Sequence, residues 1–182
     1  AWYIEGNFQS EKYFKNYADE IRNDFQFINK PSEKNQELIK NITNTNSISI
    51  HIRRWDYITN ASVNNFHGIC DISYYTTAIK YIQKNIISPV FFIFSDDMDW
   101  VKEKFKNMDN CYYIDRNTWK NSYEDMRLMS LCKHNIIANS SFSRWWAWLN
   151  KNKNKIVIWP NKWFNNTEYD TSDILPSEWF RM

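Results

Sequence analysis

The stretch Ser47–Tyr57, SISIHIRRWDY, decides the fold of this chain. Isoleucine alternates with smaller or polar residues at its start, which predicts a β-strand over Ser47–Arg53 with the three isoleucines on one face. Arg53 and Arg54 then leave the strand together. In an α/β sheet, ligands bind beyond the carboxyl ends of the strands, so the two arginines are expected at a binding edge.

Strands and helices alternate through the rest of the chain. The apolar run VFFIF predicts a strand over Val90–Ser95 that is buried on both faces, as in a parallel sheet. Further strands are predicted at Cys111–Ile114, Asn135–Ala138 and Lys155–Trp159, with helices at Ser73–Asn85, Asp97–Lys106, Ser122–Lys133 and Ser143–Asn150. The alternation predicts an α/β fold: a Rossmann-like, mostly parallel sheet with helices on both faces. The connection from Arg53 to Cys70 is predicted to be a loop, and the tail after Pro160 to be irregular.

Helix signals also precede the first strand. Ser10 is a typical N-cap residue for a helix at Ser10–Asp24, and a second, polar helix is predicted at Ser32–Ile42. Further along, Ser122 opens a Ser-Tyr-Glu-Asp pattern that predicts a capping box. We therefore expect a helical lead-in over residues 1–46 and a Rossmann-like domain over residues 47–182.

Composition excludes several classes of protein. The chain has 182 residues, a net charge of +2 and 18% aromatic residues, so it is neither strongly basic nor disordered. Its longest apolar run, VFFIF, is far shorter than the roughly 20 residues of a membrane-spanning helix. With only two glycines, the GxGxxG and P-loop motifs are both excluded. Three cysteines without a CxxC pattern indicate neither a disulfide framework nor a zinc site.

Charged residues follow two of the predicted strands. Arg53 and Arg54 leave the first, where paired guanidinium groups suit an anion with several oxygens, such as phosphate. The alternative is that Arg54 pairs with Asp56 or another acid and only holds the loop. Asp96 and Asp97 follow VFFIFS. There the alternatives are a divalent metal bound with a nucleotide diphosphate and, as we favour, a cap on the next helix.

A second candidate site is the segment NSSFSRWWAWLN, Asn139–Asn150. It follows a predicted strand and opens a helix, where small hydroxyl residues present backbone N–H and O–H donors to a phosphate. Asp125 lies in the first turn of the preceding helix, where the helix dipole favours an acid. It also lies in the expected ligand crevice, where a carboxylate can accept two N–H bonds from guanine. His67 and His134 have no ligand-like spacing and are expected to be structural or surface residues.

Six segments of the chain resemble, in order, the bacterial and viral α-1,2-fucosyltransferases, glycosyltransferase family eleven. They are YIEGNFQSEKYF (Tyr3–Phe14), HIRRWDY (His51–Tyr57), FHGICDISYY (Phe66–Tyr75), FFIFSDD (Phe91–Asp97), EDMRLMSLCKHNIIANSSFS (Glu124–Ser143) and WPNKWF (Trp159–Phe164). The resemblance covers nearly the whole chain, and its motifs are specific. It implies one half of a GT-B glycosyltransferase, the half that binds the donor, with much of the acceptor site in a preceding half.

The resemblance implies an enzyme that transfers L-fucose from GDP-β-L-fucose to a galactoside hydroxyl with inversion, as a galactoside 2-α-L-fucosyltransferase does. Neither a metal nor a cofactor is expected beyond the donor substrate. The expected partners are GDP-fucose and a galactose-containing glycan, and not nucleic acid. We expect the protein in the cytoplasm, either free or peripherally on the cytoplasmic side of a membrane.

Matching motifs carry the family's roles to residues of this chain. Arg53 is expected to contact the diphosphate. Asp56 closes the same motif and is expected to orient the arginines or to take the acceptor proton, and a base in the other half is the alternative. The donor-binding set is completed by His51 and Asp125 at the guanosine, by Ser141 or Ser143 at the phosphates, and by Arg54 and Asn139.

Three residues depart from the family pattern. Trp55 and Trp146 stand where glycine is usual, and Arg144 stands where tryptophan is usual. Tryptophan adds bulk and disfavours the positive φ that glycine adopts. The alternative expectation is therefore a chain that folds but has reduced activity or none. The alternative function is therefore a nucleotide-binding fragment or degenerate paralogue without transfer activity. An RNA-binding module is a further alternative, which the near-neutral charge disfavours.

Overall fold

A six-stranded parallel sheet forms the centre of the protein, in the strand order β3-β2-β1-β4-β5-β6. The computed structural model describes residues 3, 5–6, 9–117, 119–166 and 168–182. The strands are β1 (Asn46–Ile52), β2 (Pro89–Ser95), β3 (Cys111–Ile114), β4 (His134–Ile136), β5 (Val157–Trp159) and β6 (Phe180–Arg181). The predicted parallel sheet is confirmed, with β1 between β2 and β4.

Helices cover both faces of the sheet, as predicted. In the described part of the chain they are α1 (Ala18–Asp24), α2 (Glu33–Asn44), α3 (Trp55–Thr59), α4 (Ala61–His67), α5 (Ile72–Asn85), α6 (Met98–Lys104), α7 (Ser122–Leu131) and α8 (Ser141–Leu149). Residues of α2, α7 and α8 form one buried hydrophobic cluster, and residues of α5 and α6 form another. Successive side chains of β2 alternate between the two clusters, which places the clusters on opposite faces.

Alternation in β1 also separates an apolar face from a polar one. Its three isoleucines are buried in the cluster under α5 and α6. On the opposite face, Ser49 accepts a hydrogen bond from the side-chain amide of Asn135 (2.8 Å), whose oxygen accepts one from Asn150 (2.7 Å). Buried polar groups are tolerated when they are paired in this way. The polar face of β1 is therefore hydrogen-bonded on the side of the sheet that α2, α7 and α8 cover.

The segment between Arg53 and Cys70 is helical, whereas the sequence predicts a loop. It forms α3 and α4, which are short. Asn60 supports the second of them, because its side chain accepts N–H bonds from Ser62 and Val63 at the helix start. The prediction was wrong because helices of five and seven residues have at most about two turns. An apolar pattern with a helical period is not evident over so short a stretch.

The N-terminal prediction is also corrected. Ser10 does accept an N–H bond from Lys12, but 3-10 turns at Glu11–Tyr13 and Lys15–Tyr17 precede α1. The capping box predicted at Ser122 is absent, because Asn121 is the N-cap and makes no side-chain cap bond.

The tail carries more regular structure than predicted. Its last residues form β6, which extends the sheet beyond β5. Trp163 and Trp179 are buried anchors, whereas Phe180 is exposed. No helix within the described ranges is both long enough and apolar enough to cross a membrane.

Gly68 joins the end of α4 to the tail. Its φ of 70° lies in the region that favours glycine. A Cβ at this position would overlap the side-chain amide of Asn165. That amide donates to the backbone oxygen of Asn64 (2.6 Å), and the Asn165 backbone N–H donates to that of Phe66 (2.9 Å). The tail is thus fastened against α4 where only glycine fits.

Replacing Gly68 should therefore destabilise the protein. Gly68→Ala imposes a backbone conformation that costs a non-glycine residue about 1–3 kcal/mol, and it displaces the Asn165 amide. We expect a lower melting temperature in thermal unfolding followed by circular dichroism. Asn65→Ala, at an exposed position of the same helix, is the control and should melt like the unaltered protein. Equal melting of both variants would contradict the tight seat of the tail on α4.

Candidate active site

Arg53 lies at the carboxyl end of β1, between two carboxylates. Its Nη2 is 2.7 Å from Oδ2 of Asp56, and its Nε is 3.2 Å from Oδ2 of Asp96. Burial acts to lower the pKa of Arg53, but the hydrogen bond and charge of Asp56 and the charge of Asp96 outweigh it and raise that pKa. A guanidinium carries five N–H groups, so two such contacts leave donors for a further anion. The side chain is 37% exposed, which leaves it accessible.

Asp96 connects the ends of β1 and β2. Its Oδ1 accepts the backbone N–H of Arg54 (2.8 Å) and of Trp55 (3.2 Å), while its Oδ2 faces Arg53. Helix α3 begins at Trp55, so a carboxylate from the neighbouring strand caps it. Burial raises the pKa of Asp96 despite these hydrogen bonds and the charge of Arg53. Asp96 therefore fixes both the direction of Arg53 and the start of α3.

Arg54 points to a different acid. Its Nε is 3.1 Å from Oδ2 of Asp97, and its guanidinium lies over the ring of Trp100, 4.5 Å from the centroid. Asp97 also caps α6, because its side chain accepts the Trp100 N–H. The expected helix cap at Asp97 and the ion-pair alternative for Arg54 are both present. Arg54 is thus engaged with α6 rather than directed towards a ligand.

His51 and Ser143 form a buried pair between β1 and α8. Nδ1 of His51 lies 2.5 Å from Oγ of Ser143, and the two residues are 5% and 0% exposed. Burial, with the charge of Arg53, lowers the pKa of His51 to about 3, so the imidazole is neutral. The rings of Phe142 and Trp146 surround it. The pair anchors α8 to the sheet, and neither side chain is at the surface where a phosphate or base would meet it.

Ser141 and Asn139 lie on either side of the start of α8. Ser141 is exposed in its first turn, whereas Asn139 is buried. The amide of Asn139 donates to the backbone oxygens of His67 (2.9 Å), Gly68 (3.1 Å) and Trp163 (3.2 Å). Its oxygen accepts the thiol of Cys70 (3.2 Å). The sequence places Asn139 in the donor-binding set, and in the structure its side chain turns inward and holds α4 and the tail.

Asp125 lies near the exit of β3 and apart from the arginines. Nδ2 of Asn117, which follows β3, donates to its Oδ1 at 2.7 Å. Burial raises the pKa of Asp125 to about 7, against the effect of that hydrogen bond and with some help from the charge of Glu124. Within the described residues, no hydrogen bond or ion pair joins Asp125 to Arg53 or His51. A carboxyl group whose pKa is raised to about 7 by burial is a candidate for a functional role.

His67, which the sequence predicts to be a structural or surface residue, lies among aromatic rings. Its ring stacks on Tyr57 with centroids 5.3 Å apart and an angle of 4°, and Phe66 and Phe164 pack around it. Burial lowers its pKa, while the charge of Asp56 acts in the opposite direction. The available signal was the His-Gly pair, because Gly68 ends α4 and fixes the position of the histidine before it.

The three departures from the family pattern occupy different environments. Trp55 is 58% exposed on α3. Arg144 and Trp146 are buried in α8, and among the described residues neither the Arg144 guanidinium nor the Trp146 indole N–H has a hydrogen-bond partner. Trp145 lies beside the guanidinium, and burial lowers the Arg144 pKa. Both substitutions thus change side chains on the buried face of α8, whereas Ser141 in its first turn is exposed.

Metal ligands do not come together in this site. Over the part of the chain that the structure describes, no three His, Cys, Asp or Glu side chains form a group that could hold a metal ion. Arg53 presents N–H donors that Asp56 and Asp96 orient, and the N-cap of α8 makes no side-chain cap bond.

Comparison with known proteins gives consistent results. Residues 1–182 match the family "Glycosyl transferase family 11". The Alpha-1,2-colitosyltransferase of Escherichia coli is 40% identical over 97% of this chain and 61% of its own length. The O-antigen biosynthesis glycosyltransferase WbnK of Escherichia coli is 47% identical over 71% of this chain and 44% of its own length.

A more distant relative is an animal enzyme. The Galactoside alpha-(1,2)-fucosyltransferase 2 of Sus scrofa is 23% identical over 75% of this chain and 42% of its own length. The chain thus spans between two fifths and about three fifths of the length of these relatives. Since the family match extends over every residue, the chain belongs to Glycosyl transferase family 11.

Proposed function

We propose that this chain binds the donor in a reaction that transfers L-fucose from GDP-β-L-fucose to a galactoside hydroxyl, with inversion at the anomeric carbon. Family membership supports a glycosyl transfer. The observation that carries the proposal is Arg53, held by Asp56 and Asp96 at the carboxyl edge of the sheet, with donors still available. GDP-fucose is the donor that this family resemblance implies.

Arg53 and the first turn of α8 are the proposed diphosphate site. As the bond to fucose breaks, negative charge builds on the leaving diphosphate, and fixed N–H donors stabilise it without reorganising. The N-cap of α8, Ser140, makes no side-chain cap bond, so the first N–H groups of the helix remain open to an anion. Ser141 adds an exposed hydroxyl. We propose that these groups replace the metal ion that other glycosyltransferases use.

Asp125 is the proposed guanine contact. An ionised carboxylate can accept the two N–H bonds that guanine presents on one edge. His51 and Ser143 have a supporting role in the proposal, since their buried hydrogen bond sets the position of α8 against β1.

Colitosyl transfer is a second candidate function. It is favoured by one observation, the 40% identity to the Alpha-1,2-colitosyltransferase of Escherichia coli over nearly all of this chain. A nucleotide-binding role without transfer is a third, since among the described residues the buried Arg144 guanidinium has no hydrogen-bond partner. The donors are distinguished by mass spectrometry of the products formed from GDP-fucose and from the GDP derivative of colitose with a panel of galactosides.

GDP alone should bind to this chain, because the proposed diphosphate and guanine contacts all lie within it. Isothermal titration calorimetry should show binding of modest affinity that is unchanged by EDTA, since Arg53 and α8 carry the charge compensation. A titration without heat of binding, or one that requires magnesium, would contradict the proposed donor site.

Arg53 and Arg54 form a matched pair of substitutions. Arg53→Ala should weaken GDP binding about ten- to a hundredfold, since hydrogen bonds to charged groups contribute roughly 1.5–3 kcal/mol. Arg53→Lys should recover little, because an ammonium group cannot reproduce the planar fork. Arg54→Ala should instead lower the melting temperature and leave the affinity nearly unchanged, because Arg54 is paired with Asp97 and stacked on Trp100. The opposite pattern in folded protein would exchange the two roles.

Binding of GDP-fucose should depend on pH through Asp125. Its pKa is raised to about 7, so the carboxyl group is largely protonated at pH 6 and ionised at pH 8. If guanine binds the ionised form, the proton must leave on binding, and the affinity should rise with pH between these values. GDP-fucose is the appropriate ligand, because its diphosphate has no proton that titrates in this range.

Asp125→Asn is the matched control for this pH dependence. It keeps the size of the side chain, removes the titration, and should give weaker binding that is nearly independent of pH from 6 to 8. A steep pH dependence that persists in Asp125→Asn would place the titrating group elsewhere.

A further inference from the structure

The imidazole of His67 is held by an unusually complete set of contacts. Tyr57 stacks on one face in a parallel arrangement, and Phe164 packs at 5.6 Å. The backbone oxygen of His67 accepts a hydrogen bond from the buried amide of Asn139. Gly68 and the tail lock the end of α4 directly after it. These contacts hold the imidazole against Tyr57 and fix the backbone on either side of it, which restricts the positions that the ring can take.

Two unpartnered polar atoms lie within this arrangement. Nδ1 of His67 and Oδ1 of Asp56 are both buried, and neither has a hydrogen-bond partner among the described residues. Buried polar atoms without partners are rare and require an explanation. The two atoms are complementary, since a ring N–H donates and a carboxylate oxygen accepts. Asp56 also precedes Tyr57 in α3, and the Tyr57 ring stacks on the imidazole, so the carboxylate belongs to the helix that contacts His67.

Building on the proposed transfer of fucose, we infer that His67 and Asp56 form the base that activates the acceptor. In the ternary complex, Nδ1–H of His67 donates to Oδ1 of Asp56, which fixes the ring tautomer and leaves the lone pair on Nε2. Nε2 accepts the proton of the acceptor hydroxyl. The acceptor oxygen bonds to the anomeric carbon of fucose, and the bond from that carbon to the diphosphate breaks with its electron pair going to GDP. An imidazolium and a neutral glycoside result, and the imidazolium later releases its proton to water.

The charges around His67 suit this role. Asp56 on α3 would stabilise the imidazolium, and its other oxygen is held by Arg53 at 2.7 Å, so the carboxylate is oriented. The rings that contact His67 are those of Tyr57, whose pKa is raised by burial so that it is neutral, Phe66 and Phe164. Because burial favours the neutral imidazole, the ring is ready to accept a proton at pH 7.

His67→Phe tests the role, because phenylalanine keeps the stacking on Tyr57 and removes both ring nitrogens. Transfer from saturating GDP-fucose to a galactoside should fall 10²- to 10⁴-fold, the usual contribution of a general base. The Kd for GDP should stay within about twofold, since the diphosphate contacts are elsewhere. In the unaltered protein, the rate should fall at acidic pH, on the acid side of the ordinary imidazole range because burial lowers the pKa of His67, and this acidic limb should be lost in His67→Phe.

His134→Gln is the control for loss of a histidine. His134 is the first residue of β4, and its ring accepts the backbone N–H of Ile156. The proposed base instead lies beyond the carboxyl end of β1. We expect a lower melting temperature and an unchanged transfer rate. A His67→Phe variant that binds GDP and still transfers fucose within threefold of the original rate would overturn the inference. So would loss of GDP binding in that variant, which would place His67 in the donor site.

A measurement without turnover tests the pair independently. The chain has three histidines, so an NMR titration can follow each imidazole. Asp56→Asn removes a negative charge that raises the pKa of His67, so that pKa should fall while the pKa of His134 is unaffected. An unchanged His67 pKa would contradict the pair even if the protein transfers fucose. Failure of the unaltered protein to bind GDP would instead contradict the proposed function itself.

Discussion

The carboxylate of Asp96 is the contact on which the carboxyl edge of the sheet depends. It leaves β2 and accepts N–H bonds from the two residues that begin α3, while its second oxygen faces Arg53. A short helix has too few internal hydrogen bonds to fix its own start, so α3 takes its position from the neighbouring strand. The contacts of Asp96 thereby also determine where Arg53, Trp55 and Asp56 lie. Parallel pairing of β1 with β2 is what brings Asp96 to this place, so the fold and the site share one constraint.

Helix α8 is fixed by the interior of the protein rather than by its exposed end. His51 and Ser143 join it to β1, and Trp146 and Trp148 bury their rings beneath it. At its other end, Lys155 donates to the backbone oxygens of Ala147 (2.8 Å) and Asn150 (2.7 Å), which are left open at a helix C-terminus. The first turn is therefore held firmly without using its own N–H groups. This is the condition under which a helix N-terminus can receive an anion.

Periodic segments were predictable from the sequence, and local contacts were not. Alternating isoleucines in β1 and the apolar run of β2 predict buried parallel strands because burial on a sheet follows a period of two, and both strands are present. The helices α3 and α4 were not predicted, since five and seven residues contain at most about two turns, too few for a periodic apolar pattern to be evident.

The site was predictable in the same partial way. Arg53 could be placed at the sheet edge because a strand delivers the residue that follows it. The sequence could not show that Asn139 turns inward, because its partners His67, Gly68 and Trp163 come from distant parts of the chain. The aromatic surroundings of His67 could not be predicted for the same reason, since Tyr57 and Phe164 meet its ring only in the folded chain.

The charge balance of the site constrains how it can hold a diphosphate. Arg53 and Arg54 are matched there by Asp56, Asp96 and Asp97, so the described cluster has no excess positive charge. Attraction of a dianion by net charge is therefore weak, and the carboxylates repel it at short range. Affinity must come from directed N–H donors, which act only when the phosphate oxygens lie along them. In the proposed function, such a site selects its ligand by geometry, and we expect it to bind GDP only modestly.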